Sequence, residues 1–291
     1  MKKGICLYVL ALIIMVVLVT GCGLKGEDSG VWVPVSIIAY NQQGEELSGR
    51  YYERDQNGNI LKYKITASGD PVAEEQFFYD SQGIMLKSVT TRNTLATYES
   101  EEEKDIPEEK KFEVTVDTLS GKITEISSKS VHDTVSRVKY KYRNDGSMQS
   151  EQFRITTAND AEMHEMIAST NYYPTGLEAS FSFVLNNEAD GNKNSYLDVV
   201  YTYLWKYDWH SRPKKVIMTR VRGDETDTVH MKLETDKYGN ITRVYAFNPE
   251  DKLTVSEVKI TYKKITHPSA SAMIFIPTLG NILRLEPGML S

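Results

Sequence analysis

Cysteine is nearly absent from this 291-residue chain, which contains only Cys6 and Cys22. Beyond residue 22 there is no thiol, which excludes disulfides, thiolate metal sites and cysteine nucleophiles from the body of the protein. The stability of the body must therefore come from a hydrophobic core. A chain of this length can form one, because the buried fraction of the surface rises with chain size.

Positive charge is also in short supply. The chain has 34 basic and 40 acidic residues, and removing residues 1–21 removes two of the lysines, Lys2 and Lys3. An acidic body has no general affinity for phosphate backbones or for anionic lipid surfaces. We therefore expect no nucleic-acid partner.

Sequence motifs of the common enzyme classes are missing. The chain has no Walker loop and no G-x-S-x-G elbow, and no two of its five histidines are four residues apart, as a helical zinc site requires. These absences predict no catalytic residue set and no cofactor. A hydrolase that uses two carboxylates on facing strands stays open as an alternative, because the many acidic residues make such a pair possible.

The N-terminal segment has the pattern of an export signal. Lys2 and Lys3 precede an apolar run over residues 5–19, which is shorter than the roughly 20 residues needed to cross a bilayer as a helix. The run ends in Leu18-Val19-Thr20-Gly21-Cys22, which resembles the lipobox of bacterial lipoproteins. The resemblance implies cleavage before Cys22, acylation of Cys22 with palmitate-type chains, and attachment to a membrane of the bacterial cell envelope outside the cytoplasm.

A weak repeat of the form Asp-x-x-Gly-x-aliphatic-x-Lys/Arg runs along the body. Good copies are Asp55–Gly58–Ile60–Lys62, Asp236–Gly239–Ile241–Arg243 and Asp80–Gly83–Met85–Lys87. Looser copies are Tyr40–Gly44, Asp117–Gly121–Ile123, Arg143–Gly146–Met148, Pro174–Gly176, Asp208–Ser211–Pro213–Lys215 and Asn248–Asp251–Leu253. An Asp or Asn that accepts backbone hydrogen bonds, followed three residues later by a left-handed Gly, is typical of a hairpin turn with a glycine bulge.

The segments between the turns alternate apolar and polar residues, as half-buried strands do. Val138, Tyr140 and Tyr142, for example, interleave with basic residues. We predict an all-β fold: an antiparallel meander of about eight hairpins, curled into a barrel-like shell or left as an open curved sheet. Residues 160–169 are the best helix candidate, with Asp160 as its cap, and a strand is the competing prediction for the same segment.

The aromatic residues before the turns carry a second resemblance. Phe77-Phe78-Tyr79-Asp80 and Trp205-Lys206-Tyr207-Asp208 are similar to units of YD-repeat (RHS-type) proteins, whose repeats build shells that enclose or display other parts. The resemblance covers most of residues 40–255 and implies a scaffold. It carries no catalytic residue to this chain.

Domain boundaries follow from these features. We predict a signal peptide at residues 1–21, a lipidated cysteine and tether at residues 22–34, and one hairpin-repeat domain at residues 35–291. The charged stretch at residues 99–111 is predicted to be a solvated loop.

A polar loop offers a candidate metal site. Asp190, Asn192, Asn194 and Asp198 place oxygen-bearing side chains at near-alternate positions, as in loops that wrap Ca²⁺. The glycine is in the second position rather than the sixth, however, and Tyr201 stands where a calcium loop has its bidentate Glu. A plain polar hairpin loop is the competing interpretation.

An aromatic ladder offers a candidate ligand site. Tyr201, Tyr203, Trp205 and Tyr207 share one face of a predicted strand, and Trp209 follows in the turn. Such a ladder can stack on sugar rings or other apolar ligands, or it can simply form core.

Taken together, these patterns predict a membrane-anchored envelope lipoprotein with a binding or structural role. Its expected partners are the membrane, through the N-terminal lipid, and a glycan, a lipid or another envelope protein. A carrier of lipid or another apolar ligand is a further alternative.

Overall fold

The computed structural model describes residues 30–92, 107–130, 135–159, 162–189, 192–195, 199–247 and 254–269. These residues form seventeen strands and no helix, so the all-β prediction is confirmed. The strands are β1 (Val31–Tyr40), β2 (Glu46–Arg54), β3 (Ile60–Ala67), β4 (Asp70–Tyr79), β5 (Met85–Arg92), β6 (Glu108–Val116), β7 (Ile123–Ser130), β8 (Val135–Tyr142), β9 (Met148–Asn159), β10 (Glu162–Tyr172), β11 (Glu178–Ala189), β12 (Asn192–Ser195), β13 (Val199–Tyr207), β14 (Pro213–Arg222), β15 (Glu225–Thr235), β16 (Ile241–Phe247) and β17 (Thr254–Ile265).

The repeat forms the turns that its spacing predicts. In the turn at residues 55–59, Asp55 Oδ1 accepts the backbone N–H groups of Asn57 and Asn59 at 2.8 and 2.9 Å, and Gly58 has a φ of +82°. Asp80, Asp208, Asp236 and Asn41 accept the same two bonds in their own turns. The left-handed position is occupied by Gly44, Gly83, Gly121, Gly146, Gly176 and Gly239, and by Ser211 in one copy.

Each of these turns is followed by a bulge that explains the aliphatic residue of the repeat. In the β2–β3 pair, Glu53 lies opposite Lys62 and Arg54 opposite Ile60, which leaves Leu61 as the extra residue. The aliphatic residue before the bulge is buried, as at Ile60, Met85, Ile123 and Ile241.

Tyrosine hydroxyls reach the backbone at the bulges. Tyr79, Tyr142 and Tyr262 donate to the carbonyl oxygens of Ile60, Ile123 and Ile241 at 2.9, 2.7 and 2.9 Å. Each tyrosine lies on the strand next to the carbonyl it contacts. Burial raises the pKa of all three hydroxyls, so they remain protonated donors at neutral pH.

The sheet closes on itself. Every strand is antiparallel to its neighbours, and β1 pairs both with β2 and with β17. β11 pairs with the short β12 near its end and with β13 further along, so β12 and β13 together occupy one place in the wall. The structure therefore has sixteen positions around a barrel, and it decides between the barrel-like shell and the open curved sheet that the sequence left open.

The two faces of the wall differ in chemistry. The face that closure turns inward carries Tyr203, Val216, Met231, Val244 and Val258 on consecutive neighbouring strands, and all five are buried. Apolar residues that are removed from water in this way supply the main stabilisation of the fold.

The outward face carries charge. Ion pairs join Lys62 to Glu74 at 2.9 Å and Arg137 to Glu125 at 3.0 Å, and the side chains involved are substantially exposed. Exposed pairs of this kind contribute little stability. They mark a wall whose outward face is polar along much of its circumference.

Among the described residues, the buried apolar side chains form two clusters. The larger lies on the strands from β13 around to β1 and includes Ile37, Trp205 and Met218, with Leu177 and Phe181 packed against it. The smaller lies between β4 and β9 and includes Met85, Ile126 and Tyr140. Each half of the wall thus packs its own core.

The alternating strand directions give the barrel two unlike ends. One end, which we call the tight-turn end, carries the turns at residues 55–59, 80–84, 117–122, 143–147, 173–177, 208–212 and 236–240, and β1 starts there at Val31. At the other end, the loop end, strands are joined by residues 41–45, 68–69, 93–107, 131–134, 160–161, 190–191, 223–224 and 248–253. The repeat of the sequence is therefore mainly a feature of one end.

Unlike the predicted turns, three other sequence predictions differ from the structure, wholly or in part. Of the two alternatives for residues 160–169, the helix is wrong and the strand is confirmed, since Glu162–Tyr172 is strand β10, paired on both sides with β9 and β11. The loop predicted at residues 99–111 is partly wrong, because β6 begins at Glu108; residues 99–106 lie outside the described residues. β1 begins at Val31, inside the range predicted as tether.

Candidate functional site

The aromatic ladder lies in the wall of the larger core cluster. Tyr203 and Trp205 are 2 % and 7 % exposed, and the Trp205 indole N–H donates to the Glu178 carbonyl oxygen at 2.7 Å. Tyr201 is partly buried and tilted against Phe181, with 5.9 Å between ring centroids. Tyr203 and Trp205 therefore form core, and binding of a ligand by the ladder stays a prediction.

The last two aromatics of the ladder are exposed. Tyr207 is the last residue of β13, and its side chain is exposed. Trp209 projects from the turn at residues 208–212 and is 87 % exposed. These two side chains lie at the tight-turn end rather than in the wall.

The candidate calcium loop is only partly described. Asn192 and Asn194 lie in β12, where they pair with Ala189 and Asn187 of β11. Asp190 and Asp198 lie outside the described residues. Within the described part of the chain no group of three or more acidic, histidine or cysteine side chains could hold a metal ion. Calcium binding stays a prediction.

The alternative of a hydrolase with two carboxylates on facing strands concerns the acidic residues of the inward face. Glu75 on β4 accepts a hydrogen bond from the Ser88 hydroxyl at 2.6 Å, and Glu151 on β9 accepts one from the Thr170 hydroxyl at 3.2 Å. The two glutamates lie on strands five places apart in the wall. Each is held by a neighbouring hydroxyl, which is an ordinary way of satisfying a partly buried carboxylate.

Sequence reasoning placed Trp209 in its turn but missed two other large exposed side chains at the tight-turn end, Leu119 and Tyr238. Leu119 is 97 % exposed at the tip of its turn, and Trp209 and Tyr238 are exposed in two others. The signal was present, because a large apolar residue between the Asp and the Gly of a turn cannot point into the wall. Trp209 and Tyr238 lie in neighbouring turns, whereas Leu119 lies across the barrel. Exposed apolar groups that lie close together indicate a contact site.

The Cys22 prediction lies outside the described residues. No helix in the described part of the chain is both long enough and apolar enough to pass through a membrane.

Comparisons with known proteins give a loose structural likeness. No family model and no curated protein matches the chain. A porin-like protein from Bacteroides vulgatus has a TM-score of 0.44 and 13% sequence identity, with 79% of this chain and 98% of that chain covered. A porin-like protein from Bacteroides uniformis has a TM-score of 0.36 and 10% identity over the same shares. Likeness at this level carries no functional argument, and the barrel described above rests on the strand pairing of this chain.

Proposed function

We propose that this chain is a lipid-anchored envelope protein whose barrel stands in water beside the membrane, where it serves as a binding or structural module. The lipobox-like residues 18–22 motivate the anchor at Cys22. The polarity of the barrel wall is the observation that carries the rest of the proposal.

A barrel that spans a bilayer presents apolar side chains to lipid and polar ones to its interior. The described wall largely has the opposite arrangement, although Val200, Leu204 and Val221 are exposed apolar residues on the outward face of β13 and β14. Its inward face holds Tyr203, Val216 and Val258, all buried, while its outward face holds ion pairs such as Arg137–Glu125 and Arg154–Glu165. Charged side chains at mid-strand on a lipid-facing wall cost about 2–4 kcal/mol each for Arg and Lys, so this wall is suited to water.

The position of the first strand also supports a lipid anchor at the N-terminal side of the barrel. β1 starts with Val31 at the tight-turn end. The short segment that joins Cys22 to Val31 can span at most about 30 Å when fully extended. The lipid would therefore hold that end of the barrel close to the membrane surface.

The test uses the full-length protein with a specific protease site inserted between Gly26 and Glu27. In a bacterial host fed a clickable palmitate analogue, the protein is expected to be labelled and to sediment with membranes. After cleavage in about 0.5 M NaCl, which screens surface charge, the body is expected in the supernatant without detergent. Cys22→Ala is the control and should abolish the label.

Two results would contradict the proposal. Absence of label on the unsubstituted protein would contradict the proposed acylation of Cys22. A cleaved body that sediments in high salt until detergent is added would show that the barrel itself is embedded in the bilayer.

A further inference from the structure

Three lysines form a ladder of like charge across the outward face of the wall. The register places Lys206 opposite Lys215, and Lys215 opposite Lys232, on β13, β14 and β15. All three are exposed, and together with Ile217 and His230 they line a shallow groove of roughly 270 Å³. We call these three residues the lysine ladder.

The lysine ladder has no anionic partner within the described structure. Like charges directly opposite one another destabilise an antiparallel pair. None of the three lysines is in an ion pair with another described residue; Asp208 is held by Arg212 at 2.8 Å, and Glu234 lies 4.0 Å from Arg243. Lys232 lies over the Tyr245 ring, 6.0 Å from its centroid, but this contact supplies no counter-charge. Like charges without an internal counter-charge are suited to an external anion.

Aromatic side chains lie beside the lysine ladder at the tight-turn end. Trp209 is at the tip of the turn that joins Lys206 to Lys215, and Tyr238 is in the turn that follows Lys232. Tyr238 packs against Trp32 of β1, with 4.7 Å between ring centroids. Trp and Tyr are the side chains that favour the headgroup region of a bilayer, since each combines an apolar ring with a polar group.

The start of β1 brings this surface to the membrane. Lys206 is two residues from its turn and Lys232 four from the next, so the ladder lies within roughly 15 Å of the tight-turn end at the strand rise of about 3.3 Å per residue. β1, which follows the tether, starts at the same end and holds Trp32.

The turns at the tight-turn end carry charges of both signs. The seven turns contain six aspartates and four basic residues in the sequence. With the three lysines of the lysine ladder, the basic residues at that end outnumber the six aspartates.

From these observations we infer that the lysine ladder, with Trp209 and Tyr238, docks the barrel onto anionic phospholipid headgroups of the membrane that holds the anchor. The inference rests on the proposed anchor for its location. It adds a contact made by the protein surface itself, which orients the barrel with its loop end away from the lipid.

The test measures binding of the cleaved, lipid-free body to vesicles, so that it does not depend on acylation of Cys22. The vesicles are phosphatidylcholine alone, or phosphatidylcholine with about 30 % phosphatidylglycerol, in about 0.1 M and 0.5 M NaCl. Sedimentation with the anionic vesicles at low salt, loss of sedimentation at high salt and a blue shift of tryptophan emission are expected. Trp209→Phe should reduce that shift, because Trp205 is already buried and only Trp32, beside Tyr238, remains to contribute.

The variant K206Q/K215Q/K232Q is expected to bind the anionic vesicles at least roughly tenfold more weakly, since each lysine near an anionic surface contributes to binding. Its melting temperature should not fall, because the substitution relieves like-charge contacts. The control K62Q/K139Q/K141Q removes three lysines from the outward faces of β3 and β8 and should bind as the unsubstituted body does. Leu119→Ser, at the same end but across the barrel, should also leave binding unchanged.

Equal binding to neutral vesicles, or equal loss of binding in both triple variants, would overturn the inference. So would tight binding of soluble glycerol phosphate that saturates the lysine ladder while vesicles are not bound, because the ladder would then be a site for a small anion. If the palmitate label is absent while the body still binds vesicles, the proposed lipid anchor is contradicted and the inferred docking surface stands.

Discussion

Tyrosine hydroxyls at the bulges illustrate how single residues hold the tight-turn end. Tyr142 is half-buried and donates to the Ile123 carbonyl oxygen at 2.7 Å. The bulge interrupts regular pairing at this point, and the hydroxyl supplies a hydrogen-bond donor there. The contact therefore replaces part of the hydrogen bonding between paired strands that the bulge removes.

Tyr142→Phe is expected to lower the free energy of unfolding by about 1 kcal/mol, because it removes one hydrogen bond and leaves a carbonyl with fewer partners. Urea unfolding followed by circular dichroism measures the change. Tyr245→Phe makes the same chemical change on the outward face, where the hydroxyl lies 3.2 Å from Glu234 at the exposed surface, and should cost much less. Equal costs for the two variants would show that the bulge contact has no special role.

Three of the turn aspartates, Asp117, Asp145 and Asp208, make the fold sensitive to acid. Backbone N–H donation from Arg212 is the largest of the causes that hold the pKa of the Asp208 carboxyl below its usual value. A lowered pKa means that the stabilisation is complete above the unfolded-state pKa of about 4 and is lost as the pH falls through the folded-state value. Asp117 and Asp145 behave alike, because backbone donors in their turns also lower the pKa of each.

Asp208→Asn is expected to keep the turn and lose part of its pH dependence. The amide oxygen can accept the same backbone bonds, as Asn41 does in its own turn, but it has no charge to lose. The difference in melting temperature between the unsubstituted protein and the variant should shrink between about pH 5 and pH 2. A difference that stays constant over that range would contradict the assigned role of the charge.

Within the elements, the left-handed residue of each turn is the point where backbone conformation matters most. Gly239 has a φ of +88° and no atom within 4 Å of the position a Cβ would take, so only the backbone opposes a side chain there. Ser211 occupies the equivalent position with a φ of +60°. The two turns thus have a glycine and a serine at the same left-handed position, so opposite substitutions can be compared.

Gly239→Ala is expected to destabilise the protein by about 1 kcal/mol, the cost of holding an L-residue in the left-handed region. Ser211→Gly should leave stability unchanged or raise it, since it removes the same cost from the neighbouring turn. Thermal melting of both variants tests the pair. Similar destabilisation by both substitutions would indicate that side-chain contacts, rather than φ, decide the stability of these turns.

Local rules predicted much of the element structure. The Asp and Gly spacing predicted turns such as residues 55–59, and the alternation in Val138, Tyr140 and Tyr142 predicted which side chains face inward. Residues 160–169 were harder, because Met, Glu and Ala favour helices. The pairing of β10 along both edges outweighs that preference.

Features that depend on two or more strands could not be read from the sequence. The exposure of Tyr207 depends on what packs against the end of β13, so alternation alone placed Tyr207 in the aromatic ladder with Trp205. The lysine ladder arises from three separate strands, and no single segment shows it. Closure depends on pairing between β1 and β17, more than 200 residues apart in the chain.

At the scale of the whole molecule, the barrel combines an apolar inward face with a charged outward face, and its tight-turn end carries the lysine ladder with Trp209 and Tyr238. This polarity supports a barrel that stands in water and is held by its tight-turn end. It also means that the aromatic residues best placed to meet a partner lie at that end, and that those in the wall serve the core.

The most direct test of this account measures the accessibility of single cysteines in the membrane-bound protein. The body has no thiol of its own, so Lys139→Cys and Thr202→Cys, both exposed on the outward face, and Val216→Cys, 0 % exposed on the inward face, can each be labelled cleanly. In opened membranes, a water-soluble maleimide that does not enter lipid is expected to label residues 139 and 202 fully, and residue 216 only after unfolding. Protection of residues 139 and 202 in the membranes, relieved by detergent, would show that lipid covers the wall and would contradict the account.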